Sequence, residues 1–150
     1  MNKKKILTPK QFGFRKGIST QDGINELLSN IYNSLENNEY TGAVFLDLSK
    51  AFDTVSHDIL LKKLEHYGIR GLPLMILSSY LTNRKQYVSI DGCKSQKRAI
   101  SVGVPQGSVL GPLLFLIYIN DLPRSLTNLK AILFADDTTL FTSSMDIQQL

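Results

Sequence analysis

Three acidic residues stand where the needs of folding alone would not put them. Asp47 closes an otherwise apolar run, Ala43-Val44-Phe45-Leu46. Asp136 and Asp137 are neighbours at the joint between two β-prone runs, 131–134 and 138–141. Adjacent carboxylates repel each other unless hydrogen bonds, water or a cation compensate. Two readings stay open on the residues alone. The pair is a polar turn, where Asp is common, or it is half of a divalent-cation site whose other half is Asp47. Carboxylates are hard oxygen ligands of the kind Mg²⁺ takes, and Mg²⁺ keeps positions free for substrate phosphates. Two such ions roughly 3.5–4 Å apart can hold an attacking and a leaving oxygen in line.

Other residues carry weaker signals. Gly103, Gly107 and Gly111 bracket Pro105-Gln106 in a loop that leads into a helix. Glycines there let backbone approach a ligand, and a helix start favours anions, but from these residues alone a structural loop is the first reading. Phe52, between Ala51 and Asp53, is either a core aromatic or a ring placed under a sugar. His57 and His66 share one helix without a metal-pair spacing and are read as packing or solvated residues. Cys93 is the single cysteine, which excludes an internal disulfide and a multi-cysteine zinc site.

The elements that must position these residues follow from periodicity. Ser19 or Thr20 caps a helix with apolar positions Ile24, Leu27, Leu28, Ile31 and Leu35, ended by Asn37-Asn38. The run 43–48 reads as a central strand, apolar on both faces until Asp47. A helix from about His57 stops at Gly68, and Pro73 opens another that runs through Leu81. Residues 86–101 read as a hairpin turning at Asp91-Gly92. An apolar helix covers about 109–120, two short strands flank Asp136-Asp137, and Ser143 or Ser144 caps a last helix. Helices interleaved with antiparallel hairpins predict an α+β fold.

The 150 residues carry 17 Lys+Arg against 13 Asp+Glu, a net charge of +4, with 43% hydrophobic and 20% charged residues. That is the composition of an ordinary globular chain of one domain or a piece of one. No apolar run approaches the roughly 20 residues of a membrane span, and no apolar stretch follows the basic start, so an intracellular, cytoplasmic or nuclear, non-secreted setting is expected. Basic residues cluster at Lys3, Lys4, Lys5, Lys10, Arg15 and Lys16, and again at Arg84, Lys85, Lys94, Lys97 and Arg98. Two such clusters fit a polyanionic partner, or simply a solvated tail and hairpin.

Taken together, the motifs resemble a reverse transcriptase domain of the non-LTR, LINE-type retrotransposon kind. Phe45-Leu46-Asp47-Leu48-Ser49-Lys50-Ala51-Phe52-Asp53 is similar to that family's first catalytic motif. Gly103-Val104-Pro105-Gln106-Gly107-Ser108 resembles its substrate loop, Phe134-Ala135-Asp136-Asp137-Thr138 its metal-binding hairpin, and Gln11-Phe12-Gly13-Phe14-Arg15-Lys16-Gly17 its fingers segment.

The resemblance implies a palm, 43–150, whose antiparallel sheet packs on helices, preceded by a fingers remnant, 12–42, and a basic irregular lead-in, 1–11. The earlier fingers strands and the thumb are expected to be missing. It implies RNA-directed DNA polymerase chemistry, with Asp47, Asp136 and Asp137 binding two Mg²⁺ ions and Mn²⁺ able to substitute. Leu48, Ser49 and Lys50 would cradle the triphosphate, and Phe52 would screen against a 2′-hydroxyl. Gln106 and Gly107 would line the incoming deoxynucleotide, and Arg15 and Lys16 would meet its phosphates or the template. An RNA template, a DNA primer and deoxynucleoside triphosphates are the implied partners, with no membrane. The rival is a non-catalytic nucleic-acid-binding remnant of the same fold. Lacking a thumb, the chain alone is expected to show little processive synthesis, because duplex affinity comes mostly from many phosphate contacts.

Overall fold

The computed structural model describes residues 6–150; Lys3, Lys4 and Lys5 lie outside the described residues. It is a mixture of helices and antiparallel sheets, as the α+β reading expected. The chain divides into two compact units, one of the described residues up to Ser49 with Ile119–Leu150, the other Lys50–Tyr118.

In the first unit, α1 (Thr20–Glu36) starts at Ser19, whose hydroxyl accepts from the Asp22 N–H while the Asp22 carboxylate accepts from the Ser19 N–H at 2.7 Å. This reciprocal cap satisfies two donors that a helix start leaves open. The expected apolar stripe splits: Ile24, Leu28 and Leu35 are exposed, Leu27 and Ile31 are half-buried, and beside those two Gly23 and Ser34 are buried. Small residues let the helix lie close, with Gly23 against Phe12 and Ile132, and Ser34 Oγ 2.6 Å from Ser143 Oγ.

Against α1 lies a three-stranded antiparallel sheet of β1 (Tyr40–Leu46), β6 (Lys130–Phe134) and β7 (Asp137–Ser144). Its order is β1-β7-β6, so β7 is central and β1 an edge, which corrects the central-strand reading of 43–48. Val44, Phe45 and Leu46 are exposed. A continuous apolar run reports β propensity but not how many neighbours the strand has. The centre goes instead to a strand rich in Thr and Ser, whose Ser143 Oγ also meets Thr41 Oγ1 at 3.1 Å. Ser143 and Ser144 are thus strand residues, and Asp146 caps the short final turn Ile147–Gln149. Residues 10–12 run parallel to β6, with Phe12 N donating to Leu133 O at 2.7 Å and Leu133 N to Lys10 O at 2.9 Å. Buried Asn120 pins the approach to them, its Oδ1 accepting from Thr8 N and its Nδ2 donating to Ile6 O.

In the second unit, α2 (His57–His66) is capped by Ser56 and stopped at Gly68, and α3 (Leu72–Leu81) opens with Pro73 in its first turn. Leu60, Leu64 and Leu81 are fully buried, each contributing about 1.5–3 kcal/mol of burial. The expected hairpin forms in two pieces: β2 (Arg84–Gln86) pairs with β5 (Arg98–Ile100), and β3 (Ser89–Ile90) with β4 (Cys93–Lys94) around Asp91-Gly92. The register shifts by one residue between them, the mark of a bulge on the returning strand. Apolar α4 (Leu110–Ile119) follows the glycine loop; the one-turn helix α5 (Leu122–Ser125), for which periodicity gave no sign, comes next in the chain and belongs to the first unit.

The loop at 102–104 is laid along 52–56. Gly103 N donates to Val55 O, Val104 N donates to Phe52 O, and His57 Nε2 meets Gly103 O at 2.7 Å. Gly103 has φ +90°, and a Cβ there would lie 2.8–3.0 Å from the Asp53 backbone.

Two outcomes follow. Gly103→Ala should destabilise the chain by about 2 kcal/mol or more, because clash and strain coincide; the midpoint of urea unfolding measures it. The hydrogen bonds from the Ser19 N–H and hydroxyl hold the Asp22 carboxyl below its ordinary range. The α1 cap should therefore be intact above that range and be lost as pH falls through the lowered value. An NMR titration of the Ser19 amide reads this, and Asp22→Asn should abolish the transition.

Candidate active site

β6 and β7 are joined by a two-residue turn, Ala135-Asp136, closed by the pair Phe134↔Asp137. Ala135 is held at φ 58°, a left-handed value that costs a non-glycine residue free energy. The turn places the half-buried Asp136 and the exposed Asp137 side by side at the end of the sheet. β1 runs antiparallel to β7 and its last pair is Leu46↔Thr138. Asp47 follows Leu46, and Asp137 precedes Thr138, so these two stand at matching level just past the paired strands. Residues far apart in sequence thereby reach one sheet end.

Among the described residues no Lys or Arg is ion-paired with Asp47, Asp136 or Asp137; the ion pair present is Lys10–Glu26 at 2.6 Å. Among them, too, no three or more His, Cys, Asp or Glu side chains converge as a ready cluster. The donor set nonetheless fits Mg²⁺, which needs only one or two carboxylates and completes its shell with water and substrate phosphate. Uncompensated carboxylates at one sheet end are the chemistry such an ion takes.

The remaining residues singled out by motif fall as follows. Leu48, Ser49 and Lys50 are exposed, and Lys50 adopts a left-handed φ of 54°. The Phe52 ring lies on Phe115, centroids 4.5 Å apart. Gln106 donates from Nε2 to Asp53 Oδ1 at 2.7 Å, which gives Asp53 a partner that motif reading left without a role. Lys50, Asp53, Arg84 and Gln106 line an open cleft of about 570 Å³ in the second unit. Gly107 is exposed with φ +74° and open space around it. Arg15 spends Nη1 on the carbonyls of Thr8 and Gln11, at 2.9 and 3.0 Å, and Lys16 is exposed.

Sequence reasoning passed over Gln11 and Gly13, which touch the Ala135 turn directly. A polar residue followed two places later by glycine in a basic segment was the available sign.

Comparison with known proteins gives the family. The reverse transcriptase (RNA-dependent DNA polymerase) family model matches residues 1–149. The chain is 39% identical, over 96% of its length, to the probable RNA-directed DNA polymerase from transposon BS of Drosophila melanogaster. It is 37% identical over 91% of its length to the RNA-directed DNA polymerase from mobile element jockey of the same fly. It is 32% identical over 65% to the retrovirus-related Pol polyprotein from type-1 retrotransposable element R2 of Popillia japonica. The chain spans 17%, 16% and 18% of the length of these relatives. No helix among the described residues is long and apolar enough to cross a membrane. The chain belongs to the reverse transcriptase (RNA-dependent DNA polymerase) family, and its similarity runs to the polymerases of non-LTR retrotransposons.

Proposed function

We propose that this chain carries the catalytic carboxylates of an RNA-directed DNA polymerase that adds deoxynucleotides to a DNA primer on an RNA template. The observation that carries the reading is the β1–β7 register, which brings Asp47 level with the Asp136-Asp137 turn. In the reaction the primer 3′-oxygen forms a bond to the α-phosphorus, the α–β phosphoanhydride bond breaks, and pyrophosphate and the hydroxyl proton leave. Two Mg²⁺ ions, replaceable by Mn²⁺, supply positive charge for the attacking and leaving oxygens when bound. Asp47 and Asp136 hold that charge, with Asp137 as third ligand or supporting anion. Their fixed places at the sheet end mean that little reorganisation is needed as charge develops.

Carried over from the motif resemblance, the N–H groups of Leu48, Ser49 and Lys50 receive the triphosphate, and Arg15 and Lys16 serve phosphates or template. Phe52 is assigned to the sugar, its ring backed by Phe115 and so unable to yield easily to a 2′-hydroxyl. Gln106 and Gly107 are assigned to the incoming nucleotide, with Asp53 orienting the Gln106 amide. Fingers at 12–42 and palm at 43–150 belong to the same proposal, as do an intracellular setting and a need for further fingers and thumb segments.

Single-nucleotide addition to a primed template is the test, rather than long extension, which depends on phosphate contacts beyond these residues. Asp47→Ala and Asp136→Ala should each abolish addition with Mg²⁺ or Mn²⁺; unchanged addition by either refutes the reading. Phe52→Ala should lower discrimination against ribonucleotides by about 10- to 100-fold, measured as the ratio of kcat/KM values.

A second reading, a nucleic-acid-binding remnant, is favoured by the exposed basic ribbon of Lys85, Lys94, Lys97 and Arg98. Salt-dependent RNA binding without addition by the unsubstituted chain would select it.

A further inference from the structure

We propose that Gln11 is a positioning residue for the carboxylate-bearing turn, its amide fixing Ala135 and thereby the direction of Asp136. The inference rests on the reading of Asp136 as a metal-holding carboxylate.

Gln11 is 1% exposed, and its side chain is spent wholly on backbone, at Ala135 and at Gly13. Oε1 accepts from Ala135 N–H at 2.9 Å and from Gly13 N–H at 2.8 Å, while Nε2 donates to Ala135 O at 3.3 Å. A primary amide alone among side chains offers an acceptor and a donor side by side, so it can grip both polar groups of one residue. The residue gripped is the one at φ 58°, which an alanine adopts only under constraint. Gly13 packs against the same peptide: a Cβ there would fall 2.2 Å from Ala135 N and 2.9 Å from Phe134 C. Backbone therefore meets backbone with no room for any side chain. Arg15 ties the clasp closed through its bonds to Thr8 O and Gln11 O. With the N–H and carbonyl of Ala135 both bonded to Gln11 and Gly13 close against its nitrogen, the peptide leading into Asp136 is held in place. Groups that orient metal ligands typically change metal affinity when they are removed, without being ligands themselves.

Calorimetric titration of the 150-residue chain with Mn²⁺, alongside hydrogen exchange of the Ala135 amide, tests this. Asp136→Ala should remove Mn²⁺ binding. Gln11→Met, confirmed folded by circular dichroism at the titration temperature, should weaken Mn²⁺ affinity roughly 10- to 100-fold and expose the Ala135 amide to exchange. Gln11→Asn keeps an uncharged amide on a shorter arm that cannot reach both polar groups of Ala135 as Gln11 does, so it should fall between. It also decides the matter should Gln11→Met not fold. A merely structural role would lower the melting temperature and leave the Mn²⁺ isotherm of the folded protein unchanged. If both Gln11 variants titrate like the unsubstituted chain while Asp136→Ala does not, the clasp is overturned and the metal reading stands. If Asp136→Ala also titrates like the unsubstituted chain, the metal reading fails and this inference fails with it.

Discussion

An alanine held at φ 58° is the constraint on which the first unit depends. A two-residue hairpin turn demands a positive φ at its first position, and glycine or asparagine would meet that demand without strain. Ala135 meets it under duress, at a cost of order 1–3 kcal/mol. The Gln11 amide supplies two hydrogen bonds to Ala135 and a third to Gly13, each worth about 1 kcal/mol net. The two to Ala135 are of the same order as the strain and offset it. The turn then sets the register of β7 on β6, and β7 sets that of β1. A slip of one residue would turn every β1 side chain to the opposite face and take Asp47 out of level with Asp137.

Electrostatics act on the same place. Two adjacent acids with a third brought level and no ion pair among the described residues form a concentration of like charge. Nothing in folding rewards this; repulsion between carboxylates opposes it. The chain as a whole is basic, yet its cations are placed elsewhere, on the hairpin ribbon and in contacts such as Lys10–Glu26.

Much of this was legible in the residues. Ser19 at a helix start, Gly68 at a helix end, Pro73 in a first turn and Asp91-Gly92 in a hairpin each act through a local rule, and each stands where the rule puts it. Asp47, Asp136 and Asp137 were conspicuous because charge interrupted apolar runs. What escaped was decided by distant partners. Val44 and Phe45 read as central because hydrophobicity does not record strand order, and the Thr- and Ser-rich β7 took the centre. The α1 stripe of Ile24 and Leu28 read as a packing face, but Gly23 and Ser34 permit the closer approach. Gln11 stood in the fingers-like segment without a role of its own, because a single glutamine carries no periodicity; its meeting with residue 135 supplies one.

The two glutamines separate by magnitude. Gln106 makes one exposed hydrogen bond to Asp53, which water can replace at little cost, so the bond contributes orientation rather than stability. An amide held so lightly can rotate toward a ligand. Gln11 is buried, and leaving its partners unsatisfied would cost about 1–3 kcal/mol for each stranded group. An amide held so firmly cannot adapt and can only hold something else still. Burial thus divides one side-chain chemistry in two, with an exposed, adaptable amide at Gln106 and a rigid one at Gln11 behind the Ala135 turn.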